Sequence, residues 1–420
     1  MKNRPLFAIW LVVFIDLLGF SLILPLLPYY AYKYGASDTV TGLLVASYAA
    51  MQLVGAPILG RLSDRYGRRP LLLISVAGTS FSFLLLALAD PIGTFLAQTF
   101  ASQSANPFVI LVLFISRMFN GLTGGNLSVA QAYITDVTDE KNRARGLGLI
   151  GAAFGLGFII GPAAGGLLSQ GGYSLPAWSA MALTLINLML IYFWLPESLS
   201  LKQRADLRGA SRPPVTLQAL LVALRRPYSG SLLITRLFFG LAFSMFQTIF
   251  SLYALRRFNL AARDTGFILT YVGLLAVIVQ GYLVGKLAER YREDWIIPVS
   301  VVLMAVSLLG WAWAPSVVWL LVWLAPIAFA GGVLNTILSS ALTKAVRPEE
   351  IGGILGFASA LDSFTRILAP ILGGAMIARF GTSAPGLFGA LVMGGLSVFV
   401  WRVIYNHPIA AEIQKQREAL

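Results

Sequence analysis

The sequence predicts an all-α membrane protein with twelve transmembrane helices in two pseudo-symmetric six-helix bundles. Three observations lead there. First, 57% of the 420 residues are hydrophobic and only 12% are charged, about half the charged share of a soluble domain, with a mean hydropathy of +0.78. Second, a spanning helix takes about 20 residues, so a dozen helices with short loops consume the chain and leave no length for a soluble domain. Third, motifs of the first half recur in the second. The same figures exclude a soluble enzyme with a single water-exposed surface, and they exclude disorder. The chain has no cysteine, which excludes disulfides, thiolate chemistry and cysteine metal sites. Its one histidine, His407, lies in the predicted tail, so neither a histidine base nor a bound metal is expected, and no organic cofactor is implied.

The first apolar run, 6–31, follows Lys2 and Arg4 but contains Asp16 and has no small-residue cleavage site; it reads as a membrane helix rather than a signal peptide. Helices 2 to 6 are predicted near 40–62, 70–90, 108–135, 144–169 and 174–195. Helices 7 to 12 are predicted near 229–255, 265–287, 295–314, 317–343, 352–379 and 384–404. The polar stretch 196–228 is a linker, so the expected organisation is a bundle over 1–195, a linker over 196–228, a bundle over 229–404 and a tail over 405–420.

The formal charge of +13 could signal nucleic acid. The distribution of the bases argues for topology instead. With both termini inside, 23 Lys and Arg fall in inner segments, five (Lys33, Arg256, Arg257, Arg263 and Arg379) in outer loops, and three (Arg117, Arg236 and Arg366) within helices. That asymmetry places the termini in the cytoplasm by the positive-inside rule.

The halves repeat. Gly60-Arg-Leu-Ser-Asp64-Arg65-Tyr66 returns 225 residues later as Gly285-Lys-Leu-Ala-Glu289-Arg290-Tyr291, and Gly161-Pro162-Ala-Ala-Gly165-Gly166 returns 208 residues later as Ala369-Pro370-Ile-Leu-Gly373-Gly374. Internal symmetry of this kind marks secondary transporters, with a site near the midplane between repeats, although channels and membrane enzymes can also be duplicated.

Four motifs stand on this frame. Between helices 2 and 3 lies Gly60-x-x-x-Asp64-Arg65-x-Gly67-Arg68-Arg69, a short loop carrying one acid and three bases after a glycine that would permit close helix approach. Helix 4 holds Leu113-x-x-x-Arg117-x-x-Asn120-Gly121; Arg117 is about 13 Å into the helix, where an arginine is costly and usually functional. Helix 5 holds Gly148, Gly157, Gly161, Pro162, Gly165 and Gly166, a glycine face for tight packing with a proline that permits a bend. Helix 1 holds Asp16, Pro25 and Pro28, with Asp16 about 15 Å deep.

On these motifs the chain resembles the major facilitator superfamily, and within it the twelve-helix drug/proton antiporter branch, the tetracycline-exporter-like members most of all. The resemblance implies the major facilitator fold and alternating access. It implies that Asp64 faces the N-terminus of helix 11 and that loop bases pair with acids at the end of helix 4, where Asp136 is the candidate. The loop would then be a gating latch, the bland alternative being a basic loop that only fixes topology. The helix 5 spacing matches the antiporter signature and implies antiport. The helix 1 pattern is similar to that of exporters, which makes Asp16 the candidate proton carrier and Arg117 its tuning partner; a static buried pair is the alternative. Leu195-Pro196-Glu197-Ser198 also resembles a family signature, though a short one.

Helix 11 carries Asp362-x-x-x-Arg366, and i,i+4 residues share a face, so an intrahelical ion pair is the expectation and a second proton or substrate site the alternative. Arg236 in helix 7 could snorkel to the interface or face a cavity. Polar and aromatic cavity candidates are Tyr48, Gln52, Asn120, Gln131, Gln247, Tyr271, Gln280 and Asn335, with Arg366 among the charged ones. Tetracycline exporters carry further ionisable residues in helices 8 and 9, and the interiors of both helices lack them here. The expected function is therefore proton-coupled export of a small amphipathic molecule by a monomer in a bacterial inner membrane. Its partners are protons, substrate and the lipid bilayer, with no nucleic acid. The alternatives are a uniporter or symporter of a metabolite, sugar or organic anion, and, from another class, a non-transporting receptor or scaffold.

Overall fold

The structure, a computed structural model, describes residues 4–200, 203–204, 217–347 and 350–405. The middle of the predicted linker and the predicted tail, His407 included, lie outside the described residues. Among those described there is no strand, and twelve helices are long and apolar enough to cross a membrane. They are α1 (Arg4–Lys33), α2 (Asp38–Tyr66), α3 (Arg68–Ala87), α4 (Asn106–Val137), α5 (Gly146–Gly171), α6 (Ser174–Trp194), α7 (Pro227–Phe258), α8 (Ala262–Arg290), α9 (Glu293–Ala312), α10 (Val317–Lys344), α11 (Ile351–Phe380) and α12 (Ala384–Tyr405). Each overlaps one predicted run, because an apolar stretch of this length satisfies its backbone only as a helix when water is absent.

Local chemistry sets the irregularities. In α1 the backbone tightens to a 3₁₀ turn at Leu24–Leu26, where Pro25 withholds its N–H. At the start of α2 the Ser37 hydroxyl accepts from the Val40 N–H at 3.3 Å, a serine N-cap. Between α2 and α3 the chain turns at Gly67 with φ +106°, a conformation open to glycine. The helix of α4 is interrupted at Gly124-Gly125. A short helix missing from the expected set, Ala89–Thr99, follows α3 and carries Phe95 on its exposed side.

The chain forms two compact units. The first comprises Met1–Arg212 together with Ala254–Tyr271, the second Pro213–Tyr253 together with Val272–Leu420. This differs from the expected boundaries, since the end of α7 and the start of α8 go with the first unit. The reason is contact. The Tyr29 and Thr265 hydroxyls meet at 2.5 Å, Arg256 pairs with Asp38 at 3.0 Å, and Thr270 donates to the Ile159 carbonyl at 2.8 Å. A Cβ on Gly166 would stand 2.9 Å from the Arg263 Cα, and one on Gly266 would collide with the Pro162 carbonyl. In the second unit Trp311 is buried against Phe246 and Tyr253, and the Tyr253 hydroxyl donates to the Trp311 carbonyl at 2.8 Å.

Candidate functional site

In the first unit the site grows from the break in α4. Two consecutive glycines end the regular hydrogen bonding, and the freed carbonyls find side chains: Gln52 Nε2 donates to the Gly124 carbonyl at 3.0 Å and to the Tyr48 hydroxyl at 2.9 Å, while the Ser75 hydroxyl donates to the Thr123 carbonyl. Broken membrane helices are tolerated where neighbours supply such partners, and they commonly line transport sites. Arg117 lies before the break and Asn126 after it.

The two charges expected to form a pair go to different companions. Asn126 is the polar side chain beside the Asp16 carboxylate, and among the described residues Asp16 Oδ1 is buried with no hydrogen-bond partner. Arg117 is only 1% exposed. Its guanidinium lies over the Tyr48 ring at 4.7 Å and the Phe20 ring at 5.9 Å, a cation–π arrangement, and its Nε and Nη2 have no hydrogen-bond partner. Among the described residues no ion pair within 4 Å joins Asp16 to Arg117. Asn120 is buried and donates to the Ser82 hydroxyl at 2.6 Å, so it ties α4 to α3. Gln131 is exposed.

The antiporter-type glycines of α5 divide by position. Ser21 donates to the Gly157 carbonyl at 2.8 Å. A Cβ on Gly157 would touch Leu17 at 3.3 Å, one on Gly161 would overlap Ser21, and one on Gly165 would overlap the Leu22 carbonyl. These three let α5 lie against α1, the helix that carries Asp16. Gly148 faces open space instead.

In the second unit the expected partner of Asp362 is wrong. Its carboxylate is taken bidentately by Arg236 of α7, Nε to Oδ1 at 3.0 Å and Nη2 to Oδ2 at 2.7 Å, and Arg236 Nη1 donates to Ser339 of α10 at 2.9 Å. Arg366 is exposed, with no hydrogen bond or ion pair among the described residues. The i,i+4 rule describes neighbours on one helix; here a planar guanidinium from another helix meets both oxygens at once, which is the stronger geometry. Ser339 in turn donates to the carbonyl of Asn335, whose side chain is exposed, as is that of Gln247. Gln280 is also exposed and Tyr271 half-buried.

A family model described as Major Facilitator Superfamily matches residues 9–291 and 232–419. This chain belongs to the major facilitator superfamily. Over 375 residues it is 30% identical to the class H tetracycline resistance protein of Pasteurella multocida, covering 88% of each chain. Over 395 residues it is 29% identical to solute carrier family 22 member 18 of Mus musculus, covering 93% of each. A solved structure of the human organic anion transporter MFSD10 (TETRAN) aligns with a TM-score of 0.66 at 22% identity, covering 95% of this chain and 99% of that one, a likeness of fold. The protein is thus an integral multi-pass membrane transporter and not an enzyme.

The loop between α2 and α3 of this superfamily member is a dense charge cluster. Arg68 is buried and pairs with Asp64 at 2.6 Å and Asp136 at 3.0 Å; Ser198 also donates to Asp136, at 2.9 Å. Arg69 docks on the Ile191 and Tyr192 carbonyls at the C-terminal end of α6, where a cation suits the helix dipole. Arg65 is exposed and lies over the Tyr66 ring at 5.3 Å. The expected close approach at Gly60 is absent, since nothing lies within 4 Å of where its Cβ would be; Gly67 is the crowded glycine, its Cβ position blocked by Glu197 and Arg204.

Glu197 is the residue that sequence reasoning undervalued. Its carboxylate accepts from the Arg68 N–H at 2.9 Å and the Arg69 N–H at 3.2 Å, and pairs with Arg204 at 3.2 Å. It therefore caps the N-terminus of α3 with a charge that the helix dipole favours. The signal was present in Leu195-Pro196-Glu197-Ser198, but its partner is a helix end more than a hundred residues earlier. On the second unit, Arg226 pairs with Glu350 at 2.9 Å, and this hydrogen-bonded guanidinium holds the Glu350 carboxyl below the ordinary glutamate value.

Proposed function

We propose that this protein exports a small amphipathic molecule in exchange for protons, with Asp16 as the proton carrier. The observation that carries the reading is the Asp16 carboxylate: deep in α1, beside the break in α4, with one oxygen buried and unpartnered and no arginine against it. A carboxyl group held so can gain or lose a proton without dismantling an ion pair. The tetracycline resistance relative and the complete glycine pattern of α5 support efflux by antiport. Arg117, fixed over Tyr48 and Phe20, supplies a nearby positive field rather than a direct bond. The Asp64–Arg68–Asp136 cluster, with Glu197 beneath it, acts as the gating latch. The 23-to-5 distribution of bases supports cytoplasmic termini, in a bacterial inner membrane, and the protein works as a monomer.

The test is transport in everted membrane vesicles carrying the protein, with tetracycline and a panel of fluorescent amphipathic dyes, with and without an imposed pH gradient. At least one compound is expected to move only with the gradient. Asp16→Asn, at equal expression, should abolish that movement. Gradient-driven transport that survives Asp16→Asn overturns Asp16 as carrier, and transport indifferent to the gradient overturns antiport.

A further inference from the structure

The second unit leaves one charge over. Its membrane-embedded ionisable groups in α7 and α11 are Arg236, Asp362 and Arg366, and the bidentate pair consumes the first two. Arg366 is residue sixteen of the thirty in α11, so each end of the helix is about 21–23 Å away along its axis. The hydrocarbon core is about 30 Å thick, so a residue near mid-helix lies about 15 Å from either interface, too deep for the side chain to snorkel. It is nevertheless exposed. An arginine at that depth is costly against hydrocarbon and almost always faces the bundle interior or a water-filled cavity, so its exposed surface is read as an aqueous one.

The surroundings fit this. Ser359, Ser363 and Arg366 follow one another at helical spacing, and Ser359 and Arg366 are exposed with Ser363 half-buried, which gives α11 a polar stripe. On α7, Arg236, Gly240, Phe243 and Gln247 share one face by the same spacing. That face meets α11 where a Cβ on Gly240 would stand 3.2 Å from the Thr365 hydroxyl, next to Arg366 in sequence. It presents a half-buried aromatic ring at Phe243 and an exposed amide at Gln247.

We propose that Arg366 is the substrate's anion-binding residue, and that the transported molecule is an amphipathic organic monoanion, such as an aryl carboxylate. The bidentate Arg236–Asp362 pair is what makes this possible, because it removes the only acid on α11 that could otherwise neutralise Arg366. The planar guanidinium takes the carboxylate, and the Phe243 face takes the apolar body. This names the substrate class for the transport reading above and rests on it.

The test is equilibrium binding to the purified full-length protein in detergent, followed by thermal shift. The probes are matched triads of aryl carboxylic acids, their amides and their amines, in several ring sizes. Acids should stabilise the protein and amines should not. Arg366→Gln should weaken acid binding by about tenfold or more, the scale of a charge-assisted hydrogen bond, and leave amide binding within about threefold. Arg366→Lys should recover part of the loss. Since Arg366 has no partner among the described residues, Arg366→Gln should retain the melting temperature of the unliganded protein, which separates lost binding from lost fold. Amines or amides binding as well as acids, no acid-selective stabilisation anywhere in the panel, or acid binding untouched by Arg366→Gln would each overturn the proposal. The readout does not involve a pH gradient. Gradient-driven export with no acid selectivity leaves the antiport reading standing and sinks this one; acid selectivity without gradient-driven export does the reverse.

Discussion

Each unit places an acid and a base in its membrane helices, and the two treat them oppositely. In the first unit Asp16 and Arg117 stay apart, one against Asn126 and the other over two aromatic rings. In the second, Arg236 and Asp362 are locked by two hydrogen bonds, with Ser339 holding a third guanidinium nitrogen. A paired carboxylate can take a proton only by abandoning an ion pair in a low-dielectric setting. A carboxylate without a cation can change state at lower cost. On the proposed reading, switching belongs to the first unit and rigidity to the second, and Arg366 is left with no ion pair among the described residues.

The largest expected effect tests the switching side. Asp16→Asn should eliminate gradient-driven transport while leaving the melting temperature in detergent near that of wild type, because no ion pair is lost. Asp362→Asn should do the opposite in stability. It strands Arg236, and with the Asp362 side chain 33% exposed the cost should be about 1–3 kcal/mol, below that of a fully buried pair. The double change Arg236→Gln with Asp362→Asn should be milder than either single change in thermal or denaturant unfolding. A double variant as unstable as the worse single would mean that the pair is not the rigid element it looks to be.

Next in size is the support of Asp16. Gly161→Ala forces a methyl into Ser21 on α1 and should cost about 1–3 kcal/mol by overpacking, measured as a fall in unfolding midpoint. Gly148→Ala meets open space and should be neutral or stabilising by up to about 1 kcal/mol through helix propensity. Equal effects at the two positions would show that the glycine pattern is not read through contact with α1. The smallest effect belongs to Glu197→Gln. It removes the charge from the N-terminus of α3 but keeps an acceptor, for an expected loss of about 0.5–1 kcal/mol, visible as a small shift in melting temperature that shrinks in high salt.

What could be read in advance follows from how local each cause is. The twelve spans were legible because hydropathy over 20 residues is decided by those residues alone. Asp16 and Arg117 stood out because an ionisable side chain in such a run is expensive wherever it ends up. Their separation was not legible: it depends on Gly124-Gly125 breaking α4 and on where the Tyr48 and Phe20 rings lie. The Asp362–Arg366 expectation failed for a related reason, since spacing along one helix says nothing about an arginine arriving from α7. The helix Ala89–Thr99 was missed because its apolar residues are few and periodic, with Ile92 and Leu96 half-buried and Phe95 exposed, so no continuous hydrophobic run marks it. Glu197 escaped because a helix cap supplied from a distant segment leaves no signature at the helix itself.

The break in α4 also divides the helix by its partners. Beyond it, Asn126–Val137 is a twelve-residue helix, about 18 Å long, with Asn126 beside Asp16 at one end and Asp136 paired with Arg68 near the other. Two glycines separate this helix from the part of α4 that carries Arg117. One continuous helical backbone therefore joins Asn126 to Asp136, whereas Arg117 lies on the other side of the glycine break. The charged loop and the Asp16 carboxylate bear on opposite ends of this one segment, and Gly124-Gly125 marks where it begins.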